Sequence, residues 1–149
     1  MDSEIIAALI GGGATLLAAL LAIFGTTISS ALKRKSLGYP SIKGCWKATW
    51  YIDGIDEIYL EDIVMIKKIR GMKIYGEGIN TGKGNYPLTG KFSKNLILNF
   101  IYESNKDYVS LSGVIILKMN PLGEQCSGKW YGYTKEDKIT GGTVIWDRR

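Results

Sequence analysis

The stretch that decides the fold is Gly44-Cys45-Trp46-Lys47-Ala48-Thr49-Trp50-Tyr51-Ile52-Asp53. Successive side chains of a β-strand point to opposite faces, so alternate residues share a face. One face of this stretch is apolar and holds Trp46, Ala48, Trp50 and Ile52. The other face holds Cys45, Lys47, Thr49 and Tyr51. A two-residue period of this kind predicts a strand that is buried on one side.

Seven further runs of β-rich sequence follow at intervals of roughly 10 to 15 residues, separated by Gly, Asn, Asp, Ser and Pro residues that are typical of turns. In the second run, Leu60, Val64 and Ile66 share one face, and Glu61 and Lys67 share the other. The predicted strands are 44–53, 58–69, 72–79, 85–92, 95–103, 108–119, 125–134 and 138–147. No second helix is predicted after the N-terminal segment.

Eight short strands with hairpin-length connections predict an all-β fold, a small antiparallel meander β-barrel over residues 44–149. Closing the sheet removes the exposed edges of an open one. Glycines inside predicted strands favour closure, because they allow sharp bending and close backbone approach. They are Gly76, Gly90, Gly113, Gly128, Gly132 and Gly142. The side chains expected inside are Trp46, Trp50, Leu98, Leu111, Trp130 and Trp146.

The N-terminal segment has a different composition. Residues 5–24 include no charged residue, and the uncharged run continues to Leu32. Twenty residues of helix rise about 30 Å, the thickness of a bilayer's hydrocarbon core. The sequence therefore predicts a transmembrane helix within residues 1–35, then a linker over 36–43. A cleaved signal peptide is the alternative, but its positively charged start is missing here.

Lys33, Arg34 and Lys35 follow the apolar run, and no Lys or Arg precedes it. The positive-inside rule then predicts a single-pass protein with its N-terminus outside and its C-terminal domain in the cytoplasm. Small side chains recur along the helix at steps of three or four residues. They are Ala7, Gly11, Ala14, Ala18 and Ala22. Such a stripe predicts self-association in the bilayer, although Gly and Ala are common in transmembrane helices generally.

Composition also bears on chemistry. All 19 Lys and Arg residues and 12 of the 14 acidic residues follow residue 32, so this part of the chain has a net charge of +7. That excess suits anionic lipid or a phosphate-bearing ligand. The sequence has no His, no P-loop and no nucleophile motif, and Cys45 and Cys126 lack a metal-binding spacing. We therefore predict a protein that is not an enzyme and needs no metal or cofactor.

Aromatic and cationic residues are dense in the predicted barrel. Aromatic rings beside cations suit a nucleobase and its phosphate. The candidate ligand-binding residues are Trp50, Lys73, Tyr75, Lys129, Tyr131, Tyr133 and Arg148. The alternative is that each Trp fills the barrel as core, since all four lie on faces that alternate with polar ones.

An N-terminal membrane segment followed by a barrel of about 100 residues resembles the transmembrane β-barrel effectors of CBASS, the cyclic-oligonucleotide-based antiphage systems. The motifs that carry the resemblance are Gly44-Cys45-Trp46, Gly128-Lys129-Trp130-Tyr131-Gly132 and Gly141-Gly142-Thr143-Val144-Ile145-Trp146. Those effectors usually carry two transmembrane helices, whereas one segment here is long enough to span.

The resemblance implies an antiphage effector in the bacterial inner membrane. Its barrel would sense a cyclic nucleotide, and its helices would self-associate and disrupt the membrane, ending in death of the infected cell. The implied partners are a cyclic nucleotide second messenger, the lipid bilayer and further copies of the chain, with no DNA or RNA. Two alternatives stay open, a membrane-tethered adaptor for a protein partner and a lipocalin-like barrel for a hydrophobic ligand.

Overall fold

The computed structural model describes residues 39–80, 84–103, 112–133 and 138–149, apart from the side chain of Lys94. The predicted transmembrane helix, its stripe of small residues and the first part of the linker lie outside these ranges. Within them, no helix has the length and apolar character that crossing a bilayer requires.

Eight antiparallel strands form a closed barrel in which each strand pairs with its neighbours in sequence. The strands are β1 (Gly44–Tyr51), β2 (Ile58–Arg70), β3 (Lys73–Asn80), β4 (Gly84–Phe92), β5 (Ile97–Glu103), β6 (Ser112–Met119), β7 (Gln125–Tyr133) and β8 (Ile139–Arg148). The circle is completed by pairing between β1 and β8, which places Ala48 opposite Trp146. The predicted class, an eight-stranded antiparallel meander barrel, is therefore confirmed.

The alternation of each strand places its apolar face inside. Val64 and Ile66 of β2 are buried, while Glu61 and Lys67 are exposed. Of the six side chains expected in the core, Leu111 lies outside the described residues. The other five, which are Trp46, Trp50, Leu98, Trp130 and Trp146, are all buried. Aromatic rings fill much of the interior, as expected for a barrel of this size.

Several strand boundaries differ from the predicted ones. β1 ends at Tyr51, two residues early, because the chain turns through Gly54 at φ +83°. Strand β5 begins at Ile97 and is preceded by a 3₁₀ turn at Lys94–Leu96. Asn95 was predicted to begin that strand, but it has φ +61° and lies in the left-handed region that Asn tolerates better than most residues. The turn is therefore longer than the sequence pattern indicated.

Glycine is required at two positions where the backbones of neighbouring strands lie unusually close together. A Cβ atom on Gly128 of β7 would collide with the carbonyl oxygen of Ile116 on β6, and one on Gly142 of β8 would collide with that of Tyr51 on β1. Both are backbone contacts, which no side-chain rotation can relieve. These two positions explain the glycines that appeared costly within predicted strands.

We call the two ends of the barrel basal and distal. The basal end holds residues 39–43, the turns between β2 and β3, β4 and β5, and β6 and β7, and the C-terminus of β8. The distal end holds the last residues of β1, β3, β5 and β7. Because the strands alternate in direction, the chain enters the barrel and leaves it at the basal end.

The basal end is closed by the segment that enters it. Ile42 is fully buried, and its carbonyl oxygen accepts a hydrogen bond of 2.9 Å from the indole nitrogen of Trp46. The ring of Tyr39 stacks on Phe92 with 5.3 Å between centroids. Residues 39–43 of the predicted linker are therefore packed against the barrel.

Candidate functional site

Trp50 lies inside the barrel near the distal end, where it is only 4% exposed. Its ring makes edge contacts with Trp130 and Tyr102, at centroid distances of 5.6 and 6.1 Å. Trp130 in turn donates a hydrogen bond of 2.9 Å to the carbonyl oxygen of Tyr51. These contacts hold both rings in the packed interior, and the buried indole nitrogen of Trp50 has no hydrogen-bond partner among the described residues.

A buried polar cluster lies beside these rings. The Asp62 carboxylate is 3% exposed and accepts a hydrogen bond of 2.7 Å from the Tyr86 hydroxyl group, together with one from the Asn80 amide. A buried carboxylate is tolerated only when donors satisfy its oxygens. Burial is the main cause that raises the pKa of Tyr86, and Asp62 adds to it. The Tyr86 hydroxyl therefore stays protonated and donates its proton to the Asp62 carboxylate in a hydrogen bond.

Burial also raises the pKa of Tyr102 to about 12 and that of the Cys126 thiol to about 12. Desolvation disfavours the charged form of both groups, so the tyrosine stays a phenol and the cysteine a thiol near neutral pH. A thiol of this kind is a weak nucleophile and a poor metal ligand. Among the described residues there is no group of three or more His, Cys, Asp or Glu side chains placed to hold a metal ion.

The outer surface of β3, β4, β5 and β6 forms a shallow groove with a volume of about 660 Å³. Neighbouring strands lie about 4.8 Å apart, so four of them provide a floor roughly 15 Å wide. Its cationic margin is formed by Lys73 and Lys91, and the side chain of Tyr75 lies beside them. Asn99 and Ser93 add uncharged polar groups.

The two lysines of the groove are direct partners across β3 and β4. Both are exposed, and neither forms an ion pair with the described residues. Side chains directly opposite on an antiparallel pair have Cβ atoms about 5 Å apart, and like charges there are destabilising. A bound anion would relieve this repulsion.

The remainder of the groove is apolar, although it faces outward. Ile101 is 63% exposed, Val114 42% and Ile116 49%. Ile101 and Val114 are cross-strand partners on β5 and β6, and Asn99 pairs with Ile116 in the adjacent row. These side chains provide a continuous apolar floor between polar and cationic margins, a combination found in sites for amphiphilic ligands.

The structure brings together only part of the predicted site. Lys73 and Tyr75 line the groove. Lys129, Tyr131 and Tyr133 lie outside the lining, on the outer face of β7, where Lys129 forms an ion pair of 2.5 Å with Asp53. Trp50 is inside the barrel. The remaining candidate, Arg148, is at the basal end.

Arg148 is held by the barrel itself. Its guanidinium group lies 4.4 Å from the Trp46 ring centre and donates hydrogen bonds to the carbonyl oxygens of Gly123, Lys43 and Ser41. The distance from Nε to the Gly123 oxygen is 2.7 Å. This geometry gives Arg148 a structural role in joining β8 to the entering segment.

Sequence reasoning missed the larger part of the groove. Lys91 was not selected because its proximity to Lys73 depends on strand register, and Asn99 carries no signal of its own. A signal for the apolar floor was present, since Val114, Ile115, Ile116 and Leu117 form an unbroken apolar run. In a strand with one buried face, such a run places two of its residues outside.

Comparisons with protein-family models, with curated proteins and with solved structures give no match for this chain.

Proposed function

We propose that this protein is a membrane-anchored sensor whose outer groove binds a cyclic nucleotide. The observation that carries the proposal is the Lys73 and Lys91 pair, two cations held opposite each other at the margin of an apolar groove, with no ion-pair partner among the described residues. Phosphate groups bind readily between lysines, because charge-assisted hydrogen bonds are the stronger ones. The anion would also remove the repulsion between the two side chains.

The remaining groove chemistry suits the other parts of a nucleotide. A base could stack on the Tyr75 ring, as bases do on aromatic platforms in single-stranded nucleic acid sites. Ile101 and Ile116 would cover the apolar faces of base and ribose, and Asn99 could hydrogen-bond a base edge. This mode of binding uses no metal.

The effector part of the proposal rests on the N-terminal sequence and on the resemblance to CBASS effectors. Residues 5–32 would anchor the chain in the bacterial inner membrane, and the stripe formed by Ala7, Gly11, Ala14, Ala18 and Ala22 would pack copies together. Ligand binding at the barrel would then control assembly and membrane disruption. Replacing Gly11 or Ala18 by Leu should reduce oligomer size and toxicity without affecting ligand binding.

Calorimetry of the full-length protein in detergent, against a panel of cyclic di- and trinucleotides, tests the proposal directly. The double variant Lys73→Gln, Lys91→Gln should bind at least about 100-fold more weakly, since hydrogen bonds to charged groups contribute about 1.5 to 3 kcal/mol each and two are lost. Lys118→Gln is the matched control, because Lys118 is an exposed lysine of β6 outside the groove lining.

Tyr75→Leu separates a nucleotide from other anions. It keeps apolar volume but loses the ring, so stacking worth about 1 to 3 kcal/mol should be lost for a nucleotide and not for an acyl phosphate. Failure of every cyclic nucleotide in a broad panel, or binding unchanged in the double lysine variant, would contradict the proposed function.

One observation favours a second candidate, the membrane-tethered adaptor. The apolar floor continues onto β7 and β8, because Val114 pairs with Tyr131, and Tyr133 pairs with Ile139. Tyr131, Tyr133 and Ile139 are all exposed. A stable protein partner lost in the Tyr131→Ser, Tyr133→Ser variant, together with a negative nucleotide panel, would favour this reading.

A further inference from the structure

Charge is distributed unevenly between the two ends of the barrel. Among the described residues, the basal end holds eight Lys and Arg side chains against the two acids Glu124 and Asp147. The eight are Lys43, Lys68, Arg70, Lys73, Lys91, Lys118, Arg148 and Arg149.

The distal end has the opposite balance. At its surface it holds four acids, Asp53, Asp56, Glu57 and Glu103, against two bases, Lys129 and Lys138, while Asp62 is buried inside the barrel. By sequence, residues 81–83, 104–111 and 134–137 together add no net charge. The remaining charges lie between the ends and pair with each other, Lys47 with Glu61 and Lys67 with Glu77. The barrel is therefore polarised along its axis.

The basic end is also the end at which the chain arrives from the N-terminal segment. Tyr39 is packed there, and only residues 33–38 separate it from the apolar run that ends at Leu32. Six residues span at most about 20 Å when extended. With residues 5–32 in a bilayer, the basal end is confined to the layer in which anionic head groups attract cations.

An exposed apolar side chain lies at the tip of the same end. Leu122 is 75% exposed in the turn between β6 and β7. This turn is well defined, since the Asn120 side chain accepts hydrogen bonds from the backbone nitrogens of Glu124 and Gln125, and the Gly123 nitrogen donates to the Asn120 carbonyl oxygen. An apolar residue presented beside cations is the combination that binds peripheral proteins to anionic interfaces.

From these three observations we infer that the basal end of the barrel docks on an anionic lipid surface, with Leu122 entering the head-group layer. The inference rests on the membrane anchoring in the proposed function, but not on the ligand groove. Six of the eight basic residues lie outside the groove lining, which contains only Lys73 and Lys91. Docking would hold the acidic distal end away from the membrane and fix the direction in which the groove faces.

The test uses the full-length protein in lipid nanodiscs, either neutral or containing about one third phosphatidylglycerol. Hydrogen exchange then compares amides of the basal turns, at Gly71 and Leu122, with amides of the distal turn at Gly54. Basal amides should exchange several-fold more slowly in anionic discs than in neutral ones. The difference should disappear at high salt, since screening shortens the reach of the lipid charge. Exchange at Gly54 should not change.

Charge variants identify the contact. Each basic residue near an anionic surface contributes roughly a fivefold factor to binding, so Lys118→Glu should reduce the protection and the variant K43E/R70E/K118E/R149E should abolish it. Lys138→Glu is the matched control at the distal end and should have no effect. Leu122→Ser should weaken protection while leaving its salt dependence unchanged.

Several results would overturn the inference. Equal exchange in neutral and anionic discs would do so, as would protection that survives the fourfold charge variant. Protection produced by added RNA in neutral discs, with none from anionic lipid, would assign the basic end to a soluble polyanion. Failure of the protein to remain in either disc would contradict the membrane anchor itself, and a loss of nucleotide binding alone would contradict only the groove.

Discussion

Arg148 and the Lys73 and Lys91 pair are both cationic regions of the barrel, but their surroundings differ. Arg148 meets three carbonyl oxygens and an indole ring. Lys73 and Lys91 meet each other across two strands, and neither has an ion-pair partner among the described residues. The hydrogen-bond partners of Arg148 are supplied by the fold, whereas Lys73 and Lys91 are available to an anionic ligand. Side chains of the first kind stabilise the barrel, and we propose that the second kind form a binding site.

The distal end extends this comparison to an anion. Asp62 accepts hydrogen bonds from Tyr86 and Asn80 inside the barrel. Like Arg148, it is a charged group whose partners are supplied by the fold. Deprotonating the buried Tyr86 and Tyr102 should therefore lower the free energy of unfolding.

Alkaline pH should destabilise the barrel through Tyr102 and Tyr86. The pKa of Tyr102 is raised from an ordinary value of 10 to about 12, and that of Tyr86 is also raised. The folded state therefore holds these protons more tightly than the unfolded state. The stability they contribute is present in full below pH 10 and is lost as pH rises toward 12. For Tyr102 the loss is on the order of 3 kcal/mol.

Denaturant unfolding at pH 8 to 12, followed by circular dichroism, measures this loss. Tyr102→Phe should show a smaller fall in unfolding free energy over the window above pH 10, because it removes one of the groups whose pKa burial raises, while Tyr86 and Cys126 remain. An equally steep fall in the variant and the natural protein would contradict the assignment to Tyr102.

Arg148→Ala should lower the free energy of unfolding by about 1 to 3 kcal/mol. The variant removes hydrogen bonds from a charged donor and its contact with the Trp46 ring, and part of this region is exposed to solvent. Nucleotide binding in the groove should be unchanged, which calorimetry checks on the same sample. Loss of binding with unchanged stability would instead place Arg148 in a ligand site, as its sequence pattern first suggested.

The Lys73→Gln, Lys91→Gln variant should have the smallest effect on folding and the opposite sign. Removing the like-charge repulsion should raise the free energy of unfolding by roughly 0.2 to 1 kcal/mol. A more stable barrel that binds its ligand less well is the behaviour of residues kept for binding. A clear loss of stability would show that the two lysines have a structural role, and the comparison with Arg148 would then fail.

The interior of the barrel could be predicted from sequence because its signal is local. Alternation in residues 44–53 placed Trp46 and Trp50 on one face, and the structure buries both. Gly128 and Gly142 in later runs indicated where backbones approach. Period and turn residues thus carried enough information for the class and for most strand boundaries to within two residues. The turn at Asn95 was not predicted, because a single Asn is only a weak indication of a left-handed backbone.

The outer groove depends on information that is not local. Lys73 and Lys91 are 18 positions apart, and only the register of β3 and β4 makes them partners. The same holds for Arg148, whose acceptors at Ser41, Lys43 and Gly123 lie far away in sequence. Aromatic density alone could not separate Trp50 from Tyr75, since it does not indicate which face of its strand each ring occupies. One residue fills the barrel and the other lines the groove.

Pairing of β1 with β8 has a consequence for synthesis of the chain. The first strand finds one of its two neighbours only about 100 residues later, at Val144 to Arg148. Contacts of such long sequence separation slow folding, because a large loop must close before they form. Until β8 leaves the ribosome, β1 presents an open edge, and exposed edges invite pairing with other chains. A stop codon before residue 139 should therefore give a product that aggregates instead of a slightly smaller barrel.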